Sequence, residues 1–362
     1  MSQALPFHRA PNRGPRQRQR GFSLIELMVA LTLGLFIVGG VISIFVTNQQ
    51  AFRTTAALGR VQENARISFE LMARDVRQSG GNACGTPLIN NLLNTPTPPP
   101  MVPPPWTYDW AAGTIEGYTG VAATPTIRAF GAGIADRVVN TDAVKVLGTA
   151  TGTTAGIQLH NAGTATIQLA TPNSGLATST IVMACDGISA VIAQVSSVAT
   201  DIVTNIETLS FNTTGTSPGN CATGFAITSS CASPDNRALA SDGFVAPLSA
   251  SFWYIGNNSR GGKSLYRANA NATPDEIAEN VVGMQIAYLL RTTGSPGTLD
   301  TNWVDASGAV DGLGLPAWTS TTRRVVALRL TLQLETLEKV GTNQEVITRE
   351  LIHVVNLRNR PD

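Results

Sequence analysis

Histidine is almost missing from this sequence: His8, His160 and His353 are all there are, and they lie far apart. A histidine-rich metal site is thereby excluded, and a Ser/His/Asp triad would have to rest on His160 or His353 without any local signature. No Gly-x-Ser-x-Gly elbow occurs. Cysteine is nearly as rare, with Cys84, Cys185, Cys221 and Cys231 showing none of the close CxxC spacing of a zinc site. Gly262-Lys263-Ser264 has the end of a phosphate-binding loop, but its first glycine would fall at Asn257, so the triplet reads as a hairpin turn. Asp305 and Asp311 lack calcium-loop spacing and read as a solvated turn. No cofactor, metal site or enzymatic activity is expected.

Charge is thin as well, 14% of the residues, and the first acid is Glu26. Arg9, Arg13, Arg16, Arg18 and Arg20 all precede it. Setting those five aside leaves 20 basic residues against 24 acidic ones, a formal −4 in place of the whole chain's +1. That balance gives nucleic-acid binding no support. With 362 residues, 43% of them hydrophobic, the chain can bury a sizeable core in one or two domains.

What is present begins with an apolar run from Phe22 to Val46, in which Glu26 is the only charge. At about 1.5 Å per helical residue this run crosses a hydrocarbon core of about 30 Å. A carboxylate at that depth is costly and calls for a partner or a function. Residues 1–21 have no apolar core of their own, so the chain lacks the order of an ordinary secretory signal, in which the apolar stretch precedes the cut and is discarded. The arginines predict a cytoplasmic N-terminus and export of everything after Val46. A plain signal anchor is the simpler alternative, but it does not account for Glu26.

Gly21-Phe22-Ser23-Leu24-Ile25-Glu26, behind a basic leader, resembles the class III signal of type IV pilins and their relatives. The resemblance implies that a prepilin peptidase cuts after Gly21 and that the new Phe22 amine is methylated. It also implies that Glu26 is an assembly handle: a carboxylate in the bilayer neutralised by the terminal amine of a neighbouring subunit favours insertion in register.

Helical pattern continues past the membrane. No proline occurs from Asn48 to Ser79, and Leu58, Val61, Ala65, Phe69, Met72 and Val76 form one apolar stripe. Gly80-Gly81 supplies the stop. The expected organisation is a leader over 1–21, a transmembrane helix over 22–46, its amphipathic continuation over 47–80 and a β-rich globular domain over 81–362, with a stiff proline-rich loop over 95–105. Trp106, Tyr108 and Trp110 either cap that domain or meet a partner. Strand patterns fall at 143–147, 165–169, 180–184, 190–195, 250–255, 264–267, 284–289, 325–332 and 351–357. Thr273, Pro274 and Glu276 have the spacing of a capping box and predict a short helix ending near Gly283. The fold class is α+β: a long N-terminal helix packed on an antiparallel β-sheet domain.

Further blocks are similar to the PilW group of minor pilins: Glu63 to Arg77, Thr141 to Val146, Trp253-Tyr254-Ile255 with Ser264 to Arg267, and Leu357 to Arg360. The resemblance implies a minor pilin in the inner membrane that acts with other minor pilins and the major pilin to prime pilus assembly. It then resides at the pilus tip at the cell surface, with a tip adhesin as a further partner. A type II secretion pseudopilin shares the signal, Glu26 and the helix, and is the alternative. In an oxidising periplasm the four cysteines can form two disulfides in three pairings. Cys221 with Cys231, closing a small loop, and Cys84 with Cys185, tying helix end to sheet, are the pairings favoured.

Overall fold

A computed structural model describes residues 21–81, 89–94, 105–124, 127–150, 152–214, 217–222, 237–269, 273–294, 297–341, 343 and 345–357. One long apolar N-terminal helix is followed by a mostly β domain. The helix, α1, runs Leu24–Gln78. The chain divides within it into two compact units, one up to Ala56 and one from Ala57 onward.

In the second unit, fifteen strands are described: β1 Ile89–Asn91, β2 Ile115–Tyr118, β3 Ala143–Thr149, β4 Ala155–Asn161, β5 Thr166–Leu169, β6 Ile181–Cys185, β7 Ala190–Gln194, β8 Ser197–Thr200, β9 Glu207–Ser210, β10 Phe244–Asn257, β11 Lys263–Ala268, β12 Asp275–Glu279, β13 Val281–Thr292, β14 Arg323–Glu335 and β15 Thr348–Asn356. All described pairings of these strands are antiparallel except β1 with β7. The proline-rich stretch at 95–104 lies outside the described residues.

β10 organises the larger sheet, whose main path is β1-β7-β6-β10-β4-β5-β9-β8. Its first four residues pair with β6, and from Leu248 to Trp253 it pairs with β3 instead. Pro247 sits where the partner changes, a place where a strand can do without a donor. The second half of β10 also pairs with β11, which carries β12.

Residues of β3 are buried on both faces, and Lys145, the one charge in the 143–147 run, is buried against Glu116 of β2 at 2.6 Å. On one face Val144, Val146, Trp253 and Ile255 share a core with Val61, Ala65, Met72, Ala73 and Val76 of α1, so the amphipathic stripe packs as its spacing predicts. Each such fully buried large side chain contributes about 1.5–3 kcal/mol. The separate sheet β13-β14-β15 completes that core with Met284, Ile286, Leu328, Leu330 and Leu332. On the other face Phe252, Tyr254 and Tyr266 stack at 5.5 and 5.7 Å, and Trp106 closes on Phe252 edge-on at 6.4 Å. A second core, with Ile157, Ile167, Leu169, Val182, Leu209 and Phe211, lies among β4 to β9.

Gly80, at φ +69°, ends α1, with the Gly81 N–H donating to Gln78 O and the Gly80 N–H to Leu147 O of β3. The short helix expected from Thr273 to Gly283 is not formed; β12 occupies that span and pairs with β11. Between Pro274 and Asn280 there are too few residues to repay helix nucleation. Burying Ala278 and pairing Glu276 with Arg260 favour the extended form. Asn280, at φ +59°, turns the chain into β13, and Gly283 lies inside that strand, not at a helix end.

Candidate functional site

In the first unit, Ser23 caps α1. The Leu27 N–H donates to Ser23 O at 3.1 Å, and the Glu26 N–H to Ser23 Oγ at 3.2 Å. The Ser23 N–H reaches back to Glu26 Oε2 at 3.4 Å, completing a reciprocal capping box. The Ser-x-x-Glu spacing ahead of an apolar run is the signal for it, yet the motif reading above gives Glu26 no local partner. An ionised carboxylate offers about four acceptor positions. One donor at the outer limit of hydrogen-bond length leaves most of them open.

From Leu24 to Val46 the helix presents apolar side chains that the described chain does not cover; Phe22 is 87% exposed. It is the one helix among the described residues long and apolar enough to cross a membrane. The hydroxyls of Thr32 and Thr47 donate to Val29 O and Ser43 O within the helix, so neither requires water. A Cβ on Gly21 would meet nothing within 4 Å, so the fold itself does not require glycine there.

The part of α1 in the second unit is fixed by a residue that pattern reading missed. Asp75 is 7% exposed, and its Oδ2 accepts from Trp253 Nε1 at 3.1 Å and lies 3.2 Å from Arg267 Nε. The Arg267 guanidinium in turn lies 5.7 Å from the Trp253 ring centroid. Its position three residues after Met72, on the apolar stripe, is the clue that this acid faces inward.

Trp106 and Tyr108 are buried, so they cap the domain. The remaining candidates for chemistry stay apart. His160 accepts from the Leu239 N–H through Nδ1, and His353 stacks on Phe69 at 5.3 Å. Asn258 takes the Arg260 and Gly262 N–H groups in the turn before β11, a hairpin between two strands. Asp305 accepts from Ser307 and Gly308, and Asp311 from Leu313, Leu315 and Ser320; these bonds hold both carboxyls below their usual range. An open cleft of about 470 Å³ has Asp142, Asp305, Arg329 and Gln285 on its walls. Burial pushes the Asp142 carboxyl up against the opposing bond from the Ile286 N–H. No group of three or more metal-ligating side chains occurs among the described residues. Cys185 and Cys221 are both disulfide-bonded, while Cys84 and Cys231 lie outside the described residues.

The prokaryotic N-terminal methylation motif matches residues 16–42. That match takes in Gly21, Phe22, the capping box and most of the uncovered apolar helix. The chain carries a type IV pilin-like signal, which implies processing by prepilin peptidase, assembly with other pilins and a membrane anchor. No curated protein and no solved structure matches the chain.

Proposed function

We propose that this chain is a minor pilin of the type IV pilus, similar to the PilW group, with a structural role and no catalysis. The observation that carries the reading is the methylation motif on a helix whose apolar surface lacks any cover within the described chain. Cleavage after Gly21 frees the Phe22 amine directly ahead of the capping box. Glu26, held by one long bond, is then available to the methylated amine of a neighbouring subunit, a charge pair strengthened by the apolar surroundings. The subunit joins other minor pilins in the inner membrane, primes polymerisation of the major pilin and stays at the tip beside an adhesin.

Glu26→Ala and Glu26→Gln test this reading. Both variants should insert, fold and lose the leader, whereas co-purification with the other minor pilins and the count of surface pili should fall. Normal complex formation and piliation with Glu26→Ala would sink the handle role. Cleavage of the leader is checked separately by the mass of the purified protein, which should start at Phe22. The disulfides proposed are Cys84–Cys185 and Cys221–Cys231, and non-reducing peptide mapping should recover these two linked pairs. Recovery of either of the other pairings would refute that assignment.

A further inference from the structure

Side chains of opposite charge that meet half-buried in this fold pair directly: Asp75 with Arg267, Glu116 with Lys145, Asp186 with Arg237 and Asp300 with Arg323. The open cleft of about 470 Å³ beside β13 departs from that pattern. Asp142, Asp305 and Arg329 line it together, yet none of the three forms an ion pair among the described residues. Arg137, behind the Asp142 wall, does not supply the missing cation. Its guanidinium is buried and donates to the carbonyls of Thr119, Ala122 and Thr141 at 2.8 to 2.9 Å.

Alternation along β13 and β14 sets the floor of the cleft. Met284, Ile286 and Tyr288 point into the core with Leu328 and Leu330, so Gln285, Ala287, Arg329 and Thr331 face the other way. Ala287 pairs with Arg329 and Gln285 with Thr331. On the outer side of β13, Val304 pairs antiparallel with Tyr288, which brings Asp305 beside Ala287. Asp305 and Arg329 thus flank a single methyl group, with their Cα atoms two strand spacings, about 10 Å, apart. Neither side chain closes the gap. The Arg329 Cζ lies 5.2 Å from the Trp303 ring centroid, a stacking that orients the planar fork and uses none of its N–H donors. Asp305 Oδ1 accepts from Ser307 Oγ at 2.7 Å and from the Gly308 N–H at 2.8 Å, which leaves Oδ2 open. Asp142 is fixed by the Ile286 N–H at 2.8 Å and by the Gly120 N–H, and it feels the like charge of Asp305. The side chains of Gln285 and Thr331 bond no other group among the described residues.

We propose that this cleft binds a small zwitterion, an α-amino acid or a dipeptide, with its ammonium group between Asp142 and Asp305 and its carboxylate on the Arg329 fork. The three N–H donors of an ammonium group suit two carboxylates, whose mutual repulsion it relieves, and a planar guanidinium takes a carboxylate through two parallel bonds. The span agrees with a short ligand. About 10 Å between the Cα positions, less two hydrogen bonds of about 2.9 Å, leaves about 4 Å between the charged groups of the occupant. A segment inside a polypeptide carries neither terminal charge, which favours a small molecule over a protein loop. Two carboxylates against one guanidinium leave one negative charge that a neutral zwitterion does not match. A basic amino acid matches it, with the side-chain cation shared between the acids and the polar groups of Gln285 and Thr331. No residue of the methylation motif takes part, so this site stands apart from the assembly function proposed above.

The experiment titrates the full chain in detergent micelles calorimetrically with three probes. L-lysine carries all three charges, 1,5-diaminopentane lacks the carboxylate, and 6-aminohexanoate lacks the α-ammonium group. L-lysine should saturate a single site per chain and bind about tenfold or more tightly than either analogue. Arg329→Gln removes the fork and should cut the preference over 1,5-diaminopentane to about twofold or less. Asp305→Asn should do the same to the preference over 6-aminohexanoate, since it removes one of the two charges that receive the ammonium group. Both variants should fold: Arg329 bonds no group in the chain, and the amide oxygen introduced by Asp305→Asn can still accept from Ser307 and Gly308. If the glutamine variant does not fold, Arg329→Lys takes its place, keeping the cation while losing the bidentate fork. Failure of the wild-type chain to bind L-lysine saturably would overturn the proposal. Equal binding of 1,5-diaminopentane would reduce the cleft to a surface that attracts cations and would overturn it too, as would both preferences surviving in the folded variants. Release of a co-purifying subunit by L-lysine would give the cleft to a protein segment and so overturn the small-ligand assignment.

Discussion

One oxygen of Asp75 joins helix to sheet by meeting both the Trp253 indole N–H and the Arg267 guanidinium. Removing one partner of a buried pair costs more than the pair contributes, because the other partner is left desolvated without compensation. Asp75→Ala strands an indole N–H in the core and a guanidinium that is 23% exposed; that partial exposure lowers the expected cost to about 3 kcal/mol. Asp75→Asn keeps an acceptor for the indole and loses only the charge, so it should cost about 1 kcal/mol. Urea denaturation of the two variants separates these contributions. Equal costs would mean that the indole bond adds nothing and that the charge opposite Arg267 carries the whole effect.

Elements were legible in the sequence where one physical signal acted alone. α1 was readable to its end, since a proline-free apolar stripe and Gly80-Gly81 agree with each other. The ladders of β13, β14 and β15 follow from alternation or β-branched runs. The first half of β10 was hidden by Pro247, which argues against a central strand unless a change of partners at that residue is foreseen. β12 was misread because a good local cap lost to pairing with β11, a tertiary effect invisible in a short window. Part of the candidate site was equally plain, since Gly21, Phe22 and Glu26 lie in one motif. Asp75 was obscured by the neighbouring Arg74 and Arg77, which make the stretch look like a solvated face. β2 shows the same dependence on distant neighbours: a Cβ on Gly117 would overlap the hydroxyl and ring of Tyr288 on β13. Gly117→Ala should therefore destabilise by about 1–3 kcal/mol, read as a lower urea midpoint. An unchanged midpoint would show that β2 can shift away from β13 without loss.

Across the whole molecule, acid stability turns on one histidine in the core among β4 to β9. Burial pushes His160 down to about 4, and its Nδ1 accepts the Leu239 N–H, which requires the ring to be unprotonated at that nitrogen. In the unfolded chain the same ring titrates at about 6.5. Above that pH both states are neutral and the folded chain has its full stability. As pH falls from about 6.5 to about 4, the unfolded chain takes up a proton that the folded one refuses, so stability declines, by about 3 kcal/mol across the window. Below the window both states carry the proton and this contribution levels off. Asp305 and Asp311, whose hydrogen bonds hold their carboxyls low, act in a different range: the stability they contribute is lost only below the ordinary carboxylate pKa of about 4. The two effects are therefore separable by pH. His160→Asn places an amide oxygen near the acceptor position without a titrating group, so it should lower stability at neutral pH through lost packing yet flatten the decline between pH 6.5 and 4. Urea midpoints of the full chain and the variant across that range are the measurement. Parallel declines in the two proteins would assign the acid sensitivity to other groups and show that the core among β4 to β9 tolerates a charged His160.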